Sequence, residues 1–492
     1  MPAFPLSRKP APPRRPLLAA AARLACAALV AAAPVAVLAQ ADPGSADRTF
    51  SLEEAMAYAE RNTPAVRAAM ADLAEADGQI KETLSIGLPK VNGSVGYTHY
   101  PEIPQQLFPD FISPTVLGVL NSEQVVNSGT GQVVQPFMGE PGFTPVAFGL
   151  KNQLQAGVNV NSLLFDATYF IALRGSRLYR SLAVRTLEQT AYQSRVQVAK
   201  AYLATLIAQR NLEQLQRNVD NLETTLSETR ALYEAGFAEK LSVDRLELTA
   251  SNLAAQRESI LQVIGISTNL LKFQMGYPQR EAITLADDLD AALGSARLTE
   301  LLSDDEFDPA VRPEIATLQV ADSLAAIDLK RIQAGYYPNL VGFAGISRTL
   351  NRNDLFDGEE AGWLPASSLG VTLNVPIFDG FEKRAQRQRA LARADKTRVQ
   401  IRRFEQSARL ALANARAAVR NARIAVDLRE NSIALAEEIY RVSQIKFREG
   451  VGSSLEVNQA QGELFRAQDA LTQALYDLAV AYTDYQDALG EL

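Results

Sequence analysis

The chain has little of the chemistry that most enzymes rely on. It has 492 residues but one cysteine, Cys26, and one histidine, His99. One imidazole excludes a multi-histidine zinc site and makes a His-based triad untenable. A single thiol excludes an internal disulfide, so stability must come from packing. Beyond residue 40 there is no uninterrupted apolar run of 18 residues, so no transmembrane helix is expected. The carboxylates are plentiful, yet none sits in a loop with an acid–base setting, so a secreted hydrolase is disfavoured and no cofactor is expected.

The N-terminus is organised as an export signal. Arg8, Lys9, Arg14, Arg15 and Arg23 precede the apolar run 24–39, which ends in Val37-Leu38-Ala39. Cleavage before Gln40 removes 1–39, and with it Cys26. It leaves 44 Lys/Arg against 56 Asp/Glu, and that acidic balance argues against a nucleic-acid partner.

What the chain does have is a repeat. NTPAVRAAMADLAEADGQIKETLSIGLPKVNGSVGY (62–97) returns as VRPEIATLQVADSLAAIDLKRIQAGYYPNLVGFAGI (311–346). Pro64 matches Pro313, Pro89 matches Pro338 and Gly96 matches Gly345, each pair 249 residues apart. The first proline of each copy suits a helix N-terminus and the second stops the helix. Ser51 and Glu54 form a capping box that predicts a helix from about 52.

After each second proline the side chains alternate. Val91, Val95 and Tyr97 oppose Lys90, Asn92 and Ser94. Leu154, Ala156, Val158 and Val160 do so in a second strand, and Leu369, Val371 and Leu373 in a fourth. Register with the first copy assigns Leu340, Gly342, Ala344 and Ile346 to the apolar face of the third. Expected strands are about 89–100, 153–165, 338–348 and 367–378. Phe165-Asp166 and Phe378-Asp379 then open proline-free stretches, 166–235 and 381 onwards. In the first of these, Leu212, Leu215, Val219, Leu222, Leu226 and Tyr233 keep a seven-residue period, which implies coiled-coil packing. Gly236 and Gly450 mark turns into shorter return helices, giving hairpins at 166–274 and 380–489. The domain reading is thus a signal peptide 1–39, a first repeat 40–278, a polar linker 279–310 and a second repeat 311–492. Residues 101–150, rich in Pro, Gly, Gln and Ser, read as a long loop.

Strands of this length with one apolar side fit a tilted membrane-spanning barrel, but four cannot close in lipid. Copies of the chain must pool them, and three copies supply twelve. Aromatics gather at the strand ends, as in an interfacial girdle: Tyr97, Tyr100, Phe165, Tyr336, Tyr337 and Phe378.

The duplicated helix–Pro–strand, the strand–FDA/FDG–long-helix units and the two glycine-containing tips resemble the TolC family of outer-membrane efflux proteins over about residues 50–490. The resemblance implies a mostly α protein with a membrane β-barrel: a homotrimer with a 12-stranded barrel in the bacterial outer membrane and a periplasmic α-helical barrel. It implies no enzyme. It implies a passive exit duct of a tripartite efflux or type I secretion system. The partners would be outer-membrane lipid, a periplasmic adaptor (membrane fusion) protein and an inner-membrane pump of RND, ABC or MFS class. A periplasmic adaptor or coiled-coil scaffold is the alternative, disfavoured because adaptors carry one hairpin between lipoyl-like β halves. By the same resemblance the pore ring falls at Glu456 and Gln459, where the family has two carboxylates. The tip and latch positions fall at Gly236, Glu239, Lys240, Asp244, Arg448, Glu449, Gly450 and Gly452. The family's first-hairpin aspartate is replaced by Ser242.

Overall fold

A computed structural model describes residues 48–109, 112–136, 143–147, 149–289, 307–354 and 362–492. The export signal and most of the linker 279–310 lie outside these residues. Among the described residues no helix is long and apolar enough to cross a membrane, which says nothing of strands.

The chain enters through β1 (Arg48–Phe50), α1 (Leu52–Asn62) and α2 (Pro64–Ile86). Ser51 caps α1 in a complete capping box with Glu54. Thr63 caps α2 and Pro64 occupies its first turn, where the missing N–H is harmless. Next come β2 (Lys90–His99), then β3 (Gln105–Pro109), α3 (Ile112–Ser122) and β4 (Phe143–Ala147). This corrects the expectation of a plain loop over 101–150. The apolar run Val116–Leu120 supports a helix there, and β3 pairs antiparallel with β4. A count of Pro, Gly, Gln and Ser overlooked both.

β5 (Asn152–Phe165) leads into α4 (Ala167–Glu234), whose 68 residues extend about 100 Å. α5 (Lys240–Met275) returns and ends at Gly276, and β6 (Ile283–Leu285) then pairs with β1. The second repeat follows the same order: α6 (Pro313–Ala334), β7 (Asn339–Arg352), β8 (Leu364–Asn374), α7 (Glu382–Arg448) and α8 (Ser454–Leu489). β8 stops at Asn374, short of the expected 378, because Pro376 has no N–H to donate. The duplicated Phe-Asp starts each long helix in its own way. Asp166 accepts from the N–H of Thr168 at 2.7 Å, whereas Asp379 accepts from both the N–H and Nζ of Lys383, at 3.2 and 3.0 Å.

β2, β5, β7 and β8 form one antiparallel sheet in that order. Val91, Val160, Ala344 and Leu369 stand in one row across it. The apolar residues of all four strands therefore share a face, as the alternation requires. The opposite face carries Lys90, Asn92 and Asn159. Among the described residues both edge strands, β2 and β8, lack a partner on their outer side.

The helices hold the rest. The heptad residues Leu215 and Leu222 are buried against Leu246, Leu253 and Ile260 in the α4–α5 seam. Leu412, Val419 and Val426 of α7 meet Leu478 and Tyr485 of α8. At mid-length Tyr202 is wholly buried, its hydroxyl 2.9 Å from the Phe50 carbonyl and 3.0 Å from Asp287 Oδ2. At the start of the second repeat Arg312 clasps Glu314 through two nitrogens and reaches both the carbonyl and the carboxylate of Asp487 near the end of α8.

Candidate functional site: the hairpin tips

Each long helix must reverse within about five residues, and a left-handed glycine does it. Gly236 has φ +82° and Gly450 φ +74°. The Phe237 N–H closes the first tip on the Leu232 carbonyl at 2.8 Å, and the Val451 N–H closes the second on Lys446 at 3.0 Å. A Cβ at Gly452 would meet Lys446 at 2.9 Å, so this position is held by close approach. The residue after each left-handed glycine is an apolar knob, Phe237 at 84 % exposure and Val451 at 79 %.

The two hairpins touch just above the tips. Arg448 Nη2 lies 3.0 Å from Glu228 Oε2 on α4. Ser242 Oγ and Ser454 Oγ, in the first turns of α5 and α8, are 2.9 Å apart. Gln444 Nε2 donates to Thr225 Oγ1 at 3.5 Å, and higher up Asn218 Nδ2 donates to Gln468 Oε1 at 2.6 Å. Burial pushes the Tyr440 phenol up and keeps it neutral in this seam.

Of the sequence-assigned positions, Arg448 is paired, and its partner Glu228 is a residue the sequence reading missed. The buried threonines Thr225 and Thr229 were a usable signal, since polar residues inside a heptad seam mark a second contact face. Glu239, Lys240, Asp244 and Glu449 are exposed and form no ion pair among the described residues. Glu456 and Gln459 lie on the exposed side of α8, and Ser453 Oγ accepts from the Glu456 N–H at 3.3 Å. Glu463, also missed, shares that exposed face seven residues on from Glu456.

Comparisons with known proteins bear on this geometry. A profile of the outer membrane efflux protein family matches residues 310–491. The pyoverdine export outer membrane protein OpmQ of Pseudomonas aeruginosa is 25 % identical over 340 residues, 66 % of this chain and 69 % of that protein. Outer membrane protein TolC of Vibrio cholerae is 21 % identical over 345 residues, 69 % of this chain and 77 % of that protein. In fold the chain is similar to the CusC channel, with a TM-score of 0.65, 15 % identity, and coverage of 92 % of this chain and 95 % of that one.

Proposed function

We propose that this chain, which matches the outer membrane efflux protein family over residues 310–491, is an outer-membrane channel of that kind and that three copies close into one passive duct. β2 of one copy pairs with β8 of the next, giving twelve strands whose shared apolar face meets lipid. Below the membrane α4, α5, α7 and α8 of the three copies build a periplasmic tube. An adaptor protein grips the tips at Gly236, Phe237, Gly450 and Val451, and an inner-membrane RND, ABC or MFS pump loads cargo. Efflux and type I secretion both fit such a duct.

The observation that carries this is the sheet with two bare edges. Unpaired edges do not persist in hydrocarbon, and the chain holds no further strand in that sheet among the described residues. The periplasmic-adaptor reading has no support from these relatives, which are channels.

At the tip we assign Glu456 as a ring of three carboxylates narrowing the duct, with Gln459 in place of a second ring. Glu228 and Arg448 latch the second hairpin to the first. Glu239, Lys240, Asp244 and Gly452 complete the surface offered to the adaptor. The deciding experiment is fractionation followed by electrophoresis and bilayer recording. The expected result is an outer-membrane protein that runs as a trimer unless heated and inserts in conductance steps. A monomer that never inserts would defeat the proposal.

A further inference from the structure

Residues 383–423 of α7 hold thirteen Lys/Arg and two Asp/Glu, in a chain of net charge −7. This is the half of the helix next to the sheet. α8, which runs back from the tip, carries one basic residue and six acidic ones over 454–489. Charge is therefore segregated along the molecule.

At about 100° per residue, α7 divides into four sectors. Ala390, Ala394, Ala408, Leu412, Ala415 and Val419 are buried on one side, where α6 and α8 pack. Roughly opposite lies an exposed apolar ridge, marked by Val399 and Leu410 within the basic stretch and continued toward the tip by Ile424, Leu428, Leu435 and Ile439. The two sectors between them are basic. One holds Arg384, Arg387, Arg402 and Arg409; the other holds Arg389, Arg393, Lys396 and Arg403, and all eight are exposed. None of them forms an ion pair among the described residues, whereas Lys383 and Arg398 are paired with Asp379 and Asp322.

A helix in the wall of a tube has a neighbour on each side and two free faces, one inward and one outward. The buried side and the apolar ridge are the two lateral contacts, so both free faces of α7 are basic and the inner one is basic whichever it is. α2 and α6 share this level with seven acidic and four basic residues between them, too few to offset α7. Resting on the duct reading above, we propose that the membrane-proximal part of the lumen is a cationic collar and that the cargo of this duct is anionic, bearing carboxylate, sulfate or phosphate groups. Unpaired guanidinium groups in a confined lumen raise the local anion concentration and suit these oxyanions in shape.

The test is tripolyphosphate block of single channels in planar bilayers, added from the barrel side. R384Q/R387Q/R402Q/R409Q removes one face, and R389Q/R393Q/R403Q the other. Block is expected in the parent and is relieved at least about tenfold by one set. The heat-dissociable trimer on gels confirms that each variant assembles, and R387Q and R393Q alone serve if a multiple variant does not. Channels that tripolyphosphate does not block, or block that neither set moves, overturn the collar and leave the duct standing. A parent that inserts no channels overturns the duct reading, and this one with it.

Discussion

Arg448 holds Glu228 in a two-pronged grip across the hairpins, with Nε 3.2 Å from Oε2 and Nη2 3.3 Å from Oε1. The side chains are 55 % and 47 % exposed, so the pair contributes at most about 1 kcal/mol and weakens with salt. That small size suits the proposed latch, which has to release. E228Q and R448Q are expected to raise the open probability of single channels, and the double variant to add little to either. High salt should mimic them. Three variants indistinguishable from the parent at low salt would remove the latch.

Glu456 stands in the first turn of α8 with its side chain exposed. In the proposed trimer, three copies of this carboxylate around a narrow axis repel one another and attract multivalent cations. E456Q is expected to weaken block by hexaamminecobalt, and Q459E to strengthen it by restoring a second ring. E463Q should have the smaller effect if the duct widens above the tip. Block measured at two salt concentrations decides this, and block unaffected by E456Q would unseat the assignment.

Two left-handed glycines separate turn geometry from packing. Nothing lies within 4 Å of a Cβ built on Gly236, so G236A should cost only the backbone term, about 1 kcal/mol. At Gly276, φ +71°, the same Cβ would meet the Asn62 carbonyl oxygen at 2.5 Å and Thr63 Cα at 2.9 Å. These are backbone atoms at the break between α1 and α2, and they have no rotamer by which to yield. G276A should cost about 2–4 kcal/mol, visible as a several-degree larger drop in Tm than that of G236A. Equal drops would show that the contact relaxes freely.

The repeat, the strand faces and the coiled-coil seam were legible because each is a periodic signal. Prolines recur 249 residues apart, apolar residues alternate at two in Val91–Tyr97, and leucines recur at seven in α4. The glycine tips were legible because few other residues tolerate a positive φ. What was hidden is long-range pairing between charges on different elements. Glu228 and Arg448 are 220 positions apart, and a chain with 56 carboxylates gives no reason to choose that one. The β3–α3–β4 excursion was hidden differently, because loop-like composition masked a short apolar helix.

Tyr202 joins three pieces of chain. Its hydroxyl reaches the Phe50 carbonyl and Asp287, and Asp287 Oδ2 also accepts from the Leu52 N–H at 2.7 Å. Burial, and then the hydrogen bond to Asp287, hold the phenol well above its ordinary value of 10.0. A phenol that keeps its proton when folded, but loses it near pH 10 when unfolded, makes stability fall as pH rises above that value. One such group contributes a slope of up to about 1.4 kcal/mol per pH unit. Y202F should lose about 1–3 kcal/mol at neutral pH and show a shallower loss between pH 10 and 11. Tyr192, also raised chiefly by burial, keeps the residual slope from vanishing. Parallel pH profiles for parent and variant would show that Tyr202 does not titrate this way.

Arg312 carries the clearest case of a buried charge that must keep its partners. Its side chain is 12 % exposed and that of Glu314 14 %, and the pair is bidentate at 3.2 and 3.0 Å. Asp487 approaches from the end of α8, and the Tyr192 hydroxyl donates to the Asp487 carbonyl at 3.1 Å. This cluster ties the start of the second repeat to the end of the chain and to α4. R312A removes the only cation that pairs with Glu314 among the described residues and is expected to cost about 3–5 kcal/mol. The size of that loss comes from the stranded carboxylates and not from an intrinsically strong ion pair. R312M/E314Q, which removes both charges and keeps most of the volume, should therefore recover more than half of it. Thermal unfolding of the two variants in detergent makes the comparison. If the double variant is no more stable than R312A, the attraction itself and not the stranded charge holds this junction together.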